Sequence, residues 1–215
     1  MKYFLSFALI FTSFIAFGQV HSESTVAWDL SSEKPGLKVY TRTPENGTIK
    51  ELRILADFEG QIDTLLTILN DAENYTTWVY KCASGESFVP EEGYTTAYYA
   101  VTDFPFPMSD RELVAKSNQW VDEQGRIVQH TVCAADDMPR KEDMVRIEAY
   151  EAKWVIEQTA KNKIHVEYVS SVDPGGNIPD WIVNLAITSG PIKTFEKLMA
   201  QTKKRSLAAN KNAYR

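Results

Sequence analysis

The sequence has few histidines and cysteines, and none is spaced as in a known metal or redox motif. The histidines are His21, His130 and His165, and the cysteines are Cys82 and Cys133. They form neither an H-E-x-x-H nor a C-x-x-C pattern. The chain also lacks a G-x-S-x-G nucleophile motif, a P-loop and a dinucleotide fingerprint. These absences predict a protein without metal or other cofactor, and they leave a carboxylate pair formed by folding as an open enzymatic alternative.

The chain has fewer basic than acidic residues. The chain has 23 Lys and Arg against 29 Asp and Glu, a formal net charge of −6. A nucleic-acid-binding protein needs a basic face, so nucleic acid is not an expected partner. A basic cluster near the C-terminus (Lys203, Lys204, Arg205, Lys211, Arg215) fits a solvated helix end, and whether it contacts membranes stays open.

Only one apolar run is long enough to suggest targeting. Met1-Lys2 precedes the run from Tyr3 to Phe17, and Ala16-Phe17-Gly18 has the small-x-small pattern of a cleavage site. The run is shorter than the roughly 20 residues of a membrane span. Residues 1–18 are therefore predicted to be a cleaved export signal, with an uncleaved anchor as the alternative. The mature protein would be periplasmic or secreted, with a flexible N-terminus (19–27), one domain (28–209) and a short tail (210–215).

A long helix is predicted near the C-terminus. Asp173-Pro174-Gly175-Gly176 is a turn sequence, and Pro179 suits the first turn of a helix. Apolar or small residues then recur at three- and four-residue spacing up to Met199. Gly190-Pro191 interrupts this pattern and predicts a kink, serving either as a hinge or as curvature around a sheet.

Most of the remaining chain has strand-like alternation. A helix-like piece is expected at Trp28–Ser32, then an edge strand and a returning strand, and a helix over residues 61–70. Six further strands with short connections predict antiparallel neighbours. The predicted strands are Leu37–Arg42, Ile49–Phe58, Val79–Val89, Tyr94–Asp103, Arg111–Val121, Arg126–Ala135, Val145–Ile156 and Lys163–Val172. The expected class is α+β, a curved antiparallel sheet wrapped around the C-terminal helix.

This strand order also bears on the two cysteines. Cys82 and Cys133 would lie three strand positions apart, at about 14 Å from the usual strand spacing, which is too far for a disulfide. Two free, largely buried thiols are predicted.

Two motifs stand apart in the sequence: Tyr98-Tyr99 with the run Asp103 to Glu112, and the run Asp173 to Trp181 with Asn184. Met138-Pro139 and Val145-Arg146-Ile147 add to them. Together they resemble the START lipid-transfer domain, most closely its phosphatidylcholine-transfer branch, and the likeness extends from Trp28 to Met199. It implies a helix-grip fold with an internal tunnel for one lipid, closed by the C-terminal helix and an Ω-type loop.

Alternation along the strands and the helix predicts which residues face such a tunnel. Several candidates are small and would leave space under the helix, although an ordinary packed core has the same pattern. The resemblance favours the cavity. The predicted ligand-binding residues are Trp78, Ala97, Tyr99, Val101, Arg111, Leu113, Ala115, Ser117, Arg146, Tyr150, Val166, Tyr168, Ile182, Leu185, Ala186, Ser189 and Ile192.

The polar candidates leave the head group open. Arg111 and Arg146 would hold either a phosphate or a structural carboxylate, with the structural ion pair favoured. In the phosphatidylcholine branch aromatic side chains surround choline. Tyr150 and Tyr168 lie in stretches that match this branch, but Ile127–Ala135 contains no aromatic residue. Choline recognition therefore stays open. The sterol branch uses charged residues in mid-strand, whereas the middle of the strand Arg111–Val121 has Ser117 and Asn118. The resemblance therefore does not favour a sterol ligand.

The stretch Phe104, Pro105, Phe106, Pro107 and Met108, which we call the gate loop, is predicted either to gate the tunnel at a membrane surface or to cap the core.

The expected function is non-catalytic binding, with possible transfer, of one phospholipid or similar amphiphile by a monomer that contacts membranes transiently. The alternatives are a helix-grip enzyme of cyclase or hydrolase type, and a partner-binding protein with a collapsed cavity.

Overall fold

The structure, a computed structural model, describes residues 26–45 and 47–213. The predicted export signal and most of the predicted flexible N-terminus lie outside these residues. The elements are β1 Asp29–Lys34, β2 Leu37–Arg42, β3 Glu51–Glu59, α1 Ile62–Leu69, a 3₁₀ helix Ala72–Thr77, β4 Cys82–Phe88, β5 Thr96–Thr102, β6 Arg111–Val121, β7 Ile127–Cys133, β8 Val145–Arg146, β9 Ala149–Ala160, β10 Lys163–Asp173, α2 Asp180–Ala186 and α3 Ser189–Ala213.

The strands form one sheet in the order β1-β2-β3-β10-β9-β7-β6-β5-β4, in which every neighbouring pair is antiparallel. The predicted six-strand meander is present as β4, β5, β6, β7, β9 and β10. One predicted strand, Val145–Ile156, is wrong because it is divided in two. Its first part, β8, pairs in parallel with Arg111 and Glu112 of β6. Strand β8 takes this place because β7 pairs with β6 only from Ala115 onward.

The N-terminal part differs from expectation at its first element. The residues around Trp28–Ser32 are not helical, since β1 begins at Asp29 and pairs with β2. Strand β2 is therefore an inner strand, and β1 forms the edge. The predicted pairing of β2 with β3 is confirmed, and β3 joins the meander through β10.

The C-terminal helix is not continuous. Helix α2 ends at Ala186 and α3 begins at Ser189, so the break lies before Gly190-Pro191 and the predicted kink at that dipeptide is wrong. Pro191 occupies the first turn of α3, where backbone N–H groups have no partner within the helix and proline costs little. Helix α3 continues through Ala213, beyond Met199 and into the expected tail.

The sheet packs against α3 through an aromatic cluster, and the aliphatic side chains of α1 complete the same core. Phe195 of α3 is stacked on Trp154 at 5.4 Å between ring centroids and lies 5.5 Å from Tyr168 and 6.3 Å from Phe58. Gly60 lets the end of β3 approach α3, because a Cβ there would meet Ser206 Oγ at 2.8 Å. None of the described helices is long and apolar enough to cross a membrane.

A second apolar cluster lies on the opposite face of β5 and β6. It consists of Tyr99, Val101, Val114 and Ala134, with Met138 and Met144 packed against it, and we call it the back cluster. Strands β5 and β6 are therefore buried on both faces.

The cysteines are unpaired, as predicted. Both are half-buried, so they are more accessible than expected. They lie on β4 and at the end of β7, three positions apart in the sheet order.

Candidate binding cavity

A cavity of about 880 Å³ lies between the sheet and the C-terminal helices. Its walls come from β4, β5, β6, β7, β9 and β10, from the 3₁₀ helix, from α2 and the start of α3, and from the gate loop. The lining is mostly apolar. Since a water molecule occupies about 30 Å³ in the liquid, and a methylene group is of similar size, the cavity has room for roughly thirty such groups.

Nine of the predicted residues line this cavity. They are Trp78, Ala97, Leu113, Ser117, Tyr150, Tyr168, Ile182, Ala186 and Ser189. Three residues of the gate loop, Phe104, Pro105 and Met108, also line it, whereas Phe106 and Pro107 do not.

The other predicted residues, apart from Leu185, do not line it, and their positions explain why. Tyr99 and Val101 belong to the back cluster. Val166 and Ile192 are part of the core around Phe195. Ala115 is fully buried opposite Tyr98, its neighbour on β5. The side chain of Leu185 lies outside the described part of the chain.

The sequence prediction chose the wrong alternating set on β5. Thr96, Tyr98, Ala100 and Thr102 line the cavity, whereas of the predicted set only Ala97 does, and Tyr99 and Val101 point away from it. Because both faces of β5 are buried, period-two alternation alone gives no preference for either set.

Arg111 is not directed into the cavity. Its guanidinium donates to the backbone carbonyls of Ser109, Pro174 (3.1 Å) and Gly175 (3.0 Å), and it lies 4.3 Å from the Phe104 ring centroid. Gly175 has φ +63, a left-handed conformation that glycine adopts without strain. Arg111 therefore ties the gate loop to the loop before α2, through carbonyls rather than the carboxylate that the sequence suggested.

Arg146 is also structural. It forms an ion pair with Glu112 at 3.0 Å, and both side chains are almost completely buried. Arg146 also donates to the carbonyls of Ala135, Met138 and Pro139. Neither predicted arginine is therefore placed to hold a ligand phosphate in the cavity.

Three tyrosine hydroxyls meet inside the cavity. The hydroxyl of Tyr98 lies near that of Tyr150, the hydroxyl of Tyr150 near that of Tyr168, and the hydroxyl of Tyr168 near that of Ser170. We call these four groups the hydroxyl chain. Burial raises the pKa of each tyrosine, so all three are neutral at physiological pH. Tyr98 was missed as a lining residue because of the reversed face of β5, although the sequence motif contained it.

Further polar groups in the wall are paired with one another. Ser117 Oγ and Thr131 Oγ1 are 2.8 Å apart, and Gln129 donates to Asn70 Oδ1 at 2.8 Å. Trp78 is buried, and its indole N–H has no hydrogen-bond partner among the described residues.

Charged side chains occur only at the rim of the described lining. They are Lys81, just before β4, and Asp103, just after β5. The two residues are neighbours, since Asp103 N donates to Lys81 O, and both are exposed. No group of three or more His, Cys, Asp or Glu side chains suited to a metal ion is found among residues 26–45 and 47–213. Cys82 lines the cavity, but burial raises its pKa, which disfavours the reactive thiolate.

The rim combines exposed apolar side chains with short anchored segments. Phe106 of the gate loop is 96% exposed, and Trp181 of α2 is 68% exposed. Asn184 holds α2 to the β2–β3 loop by accepting from Lys50 N at 2.9 Å and donating to Thr48 O at 3.0 Å. Helix α2 is thus a short separate segment over the cavity rather than part of a long rigid helix.

Comparisons with known proteins agree with this architecture. The family model described as START domain matches residues 18–206. The chain is 28% identical to the bovine (Bos taurus) phosphatidylcholine transfer protein, covering 83% of this chain and 84% of that protein. It is 23% identical to an uncharacterized protein of Pseudomonas aeruginosa, covering 88% of this chain and 93% of that one. The crystal structure of a STAR-related lipid transfer protein fragment from Xanthomonas axonopodis superposes with a TM-score of 0.75 and 24% identity, covering 82% and 98% of the two chains, which shows the same helix-grip fold.

Proposed function

The chain belongs to the START domain family, and we propose that it binds one lipid or similar amphiphile in its cavity and transfers it between membranes without catalysis. The observation that carries this proposal is the mostly apolar cavity of about 880 Å³ between the sheet and the C-terminal helices. Its size is comparable to the hydrocarbon part of one two-chain lipid. The name of the bovine relative supports transfer as the activity.

Transfer requires no bond to be broken. Burying an alkyl chain is favourable by about 0.8 kcal/mol per CH₂ relative to water, and a bilayer offers the chain a similar benefit. Exchange between membrane and cavity is therefore nearly balanced. The protein lowers the barrier by sparing the lipid its passage through water.

The rim supplies a route for the lipid. We propose that Phe106 and Trp181 touch the membrane surface and that α2 moves aside to open the cavity, functioning as a tunnel during exchange. Two features support this motion: the break between α2 and α3, and the few hydrogen bonds through which Asn184 anchors α2.

The enzymatic alternative has no support in the described lining. Apart from the exposed Asp103, the lining contains no carboxylate or histidine, so no described group is placed there for acid–base chemistry. The collapsed-cavity alternative requires a filled interior, which the structure does not have.

The experiment that tests lipid binding fills the cavity. Ala100→Trp places a large side chain in the lining, whereas Val89→Trp, at a position that is 90% exposed, is the matched control. We expect uptake of a fluorescent phospholipid or diacylglycerol from vesicles to fall at least tenfold in Ala100→Trp and to be unchanged in Val89→Trp. Equal uptake by both variants, or no uptake by the unmodified protein together with no hydrophobic molecule in protein purified from its host, contradicts the proposal.

We also propose that the protein is exported to the periplasm or secreted and acts as a monomer. The basis is the sequence pattern of residues 1–18. N-terminal sequencing of the protein from its own host is expected to begin at Gln19, and a start at Met1 in the cytoplasm contradicts export. Size-exclusion chromatography with light scattering should give the monomer mass.

A further inference from the structure

The hydroxyl chain has unused hydrogen-bonding capacity. A hydroxyl provides one donor and two acceptor lone pairs. Tyr98, Tyr150, Tyr168 and Ser170 therefore have four donors, and a row of four hydroxyls can use at most three of them for bonds between neighbours. At least one donor and several acceptors remain for a ligand. The three tyrosines are lining residues, and so is Ser170, so this capacity faces the ligand space.

The hydroxyl chain lies away from the charged rim. Tyr98 is four residues before Thr102 on β5, which corresponds to about 13 Å along a strand. The charged lining residues, Lys81 and Asp103, lie beyond Thr102. The interior around the hydroxyl chain thus contains polar groups but, among the described lining residues, no charge.

The two arginines predicted as ligand-binding residues do not change this balance. Arg111 is occupied by the carbonyls of Ser109, Pro174 and Gly175. Arg146 is paired with Glu112 behind the sheet and is absent from the lining. A phosphate beside the hydroxyl chain would therefore be a buried anion without a cation, which is strongly unfavourable.

Resting on the proposed function, we propose that the preferred ligand is a lipid whose polar end is uncharged, a hydroxyl, ester or amide, and that this end binds to the hydroxyl chain. The hydrocarbon then fills the apolar remainder of the cavity. If a phospholipid bound with its head group at the rim, its alkyl chains would lie against the buried hydroxyls. Those hydroxyls would then have no hydrogen-bond partner on the ligand, which is also unfavourable.

The aromatic rings offer a competing explanation that can be separated from this one. Tyrosine and tryptophan ring faces also attract a quaternary ammonium group. Substitution of tyrosine by phenylalanine removes the hydroxyl and keeps the ring. Such a variant therefore weakens a neutral ligand held by hydrogen bonds, leaves an ammonium ligand largely unaffected, and strengthens a phospholipid bound with its head at the rim.

The test uses lipids that differ only in the polar end. The protein is incubated with vesicles containing diacylglycerol and phosphatidylcholine with identical acyl chains, re-isolated, and its lipid quantified by mass spectrometry. We expect diacylglycerol to be enriched at least tenfold over its vesicle fraction. In Tyr150→Phe, diacylglycerol loading should fall about fivefold, as expected for one lost hydrogen bond, while phosphatidylcholine loading is unchanged or higher.

A tyrosine outside the cavity lining provides the control. Tyr94→Phe should load as the unmodified protein does, and equal melting temperatures exclude misfolding. A second vesicle set with a sterol in place of diacylglycerol distinguishes a sterol from a two-chain neutral lipid. Preferential loading of phosphatidylcholine, or Tyr150→Phe loading diacylglycerol normally, overturns this inference and leaves the proposed function standing. Loading of none of these lipids contradicts the proposed function itself.

Discussion

The assignment of Arg111 to a structural role can be tested by removing its side chain. Arg111 is 3% exposed and donates to three backbone carbonyls on two loops, with the Phe104 ring 4.3 Å from its guanidinium. Arg111→Ala would detach the gate loop from the loop at residues 174–175 and leave those carbonyls without their donor.

The size of the effect follows from these contacts. A hydrogen bond to a charged group contributes about 1.5–3 kcal/mol, and removal of the buried charge returns part of that sum because the arginine no longer has to be desolvated. A net loss of about 3–4 kcal/mol is expected. For a chain of this size, at about 2–4 °C per kcal/mol, the melting temperature should fall by roughly 10 °C. Arg111→Lys keeps the charge but not the planar fork, and should lose about half as much.

The assay combines thermal unfolding with lipid loading. Arg126→Ala is the matched control, because Arg126 is partly exposed and an ion pair at the surface, such as the one it forms with Asp122, adds little to stability. If Arg111→Ala melts within 2 °C of the unmodified protein (less than about 1 kcal/mol) but no longer loads phospholipid, Arg111 contacts the ligand and its structural assignment is refuted.

Three further predictions concern other parts of the fold. Gly85→Ala should destabilise the protein by at least about 2 kcal/mol in chemical denaturation, because the new Cβ would lie 2.1 Å from the carbonyl oxygen of Ala72; an unchanged midpoint would disprove that close approach. Arg146→Met should cost about 3–5 kcal/mol by leaving the Glu112 charge buried without its cation, and Glu112→Leu in the same chain should recover part of the loss; additive losses would argue against coupling. Phe106→Ser should leave stability within about 0.5 kcal/mol and weaken vesicle binding roughly tenfold or more in a flotation assay, since burying one such side chain contributes about 1.5–3 kcal/mol; unchanged binding would exclude Phe106 as a membrane contact.

The strands of the meander were predictable because their connections are short. Turns such as Asp122–Gly125 permit only an antiparallel return, so the order from β4 to β7 follows from the chain itself. The division of Val145–Ile156 was not predictable in this way. It depends on where β7 leaves β6, which is a long-range pairing that the local pattern does not contain.

The site was predicted less well than the fold for two physical reasons. On β5, the back cluster buries Tyr99, and its neighbours Tyr98 and Ala100 are half-buried along the cavity, so a run of apolar residues on both faces does not distinguish the two. For Arg111, the partners are backbone carbonyls at Pro174 and Gly175, distant in sequence and invisible in side-chain patterns. Tyr168 was found by alternation along its strand, and the family resemblance pointed to both Tyr150 and Tyr168.

The pairing of β3 with β10 has a consequence for how the nascent chain is assembled. Leu52 faces Ser170 across this ladder, so the three N-terminal strands, which pair with one another, do not join the rest of the sheet until the tenth strand has been synthesised. Closing such a long loop is entropically costly and slows folding. The aliphatic side of β3 should therefore remain uncovered through most of translation, and a chaperone that holds extended polypeptide would have its natural substrate there.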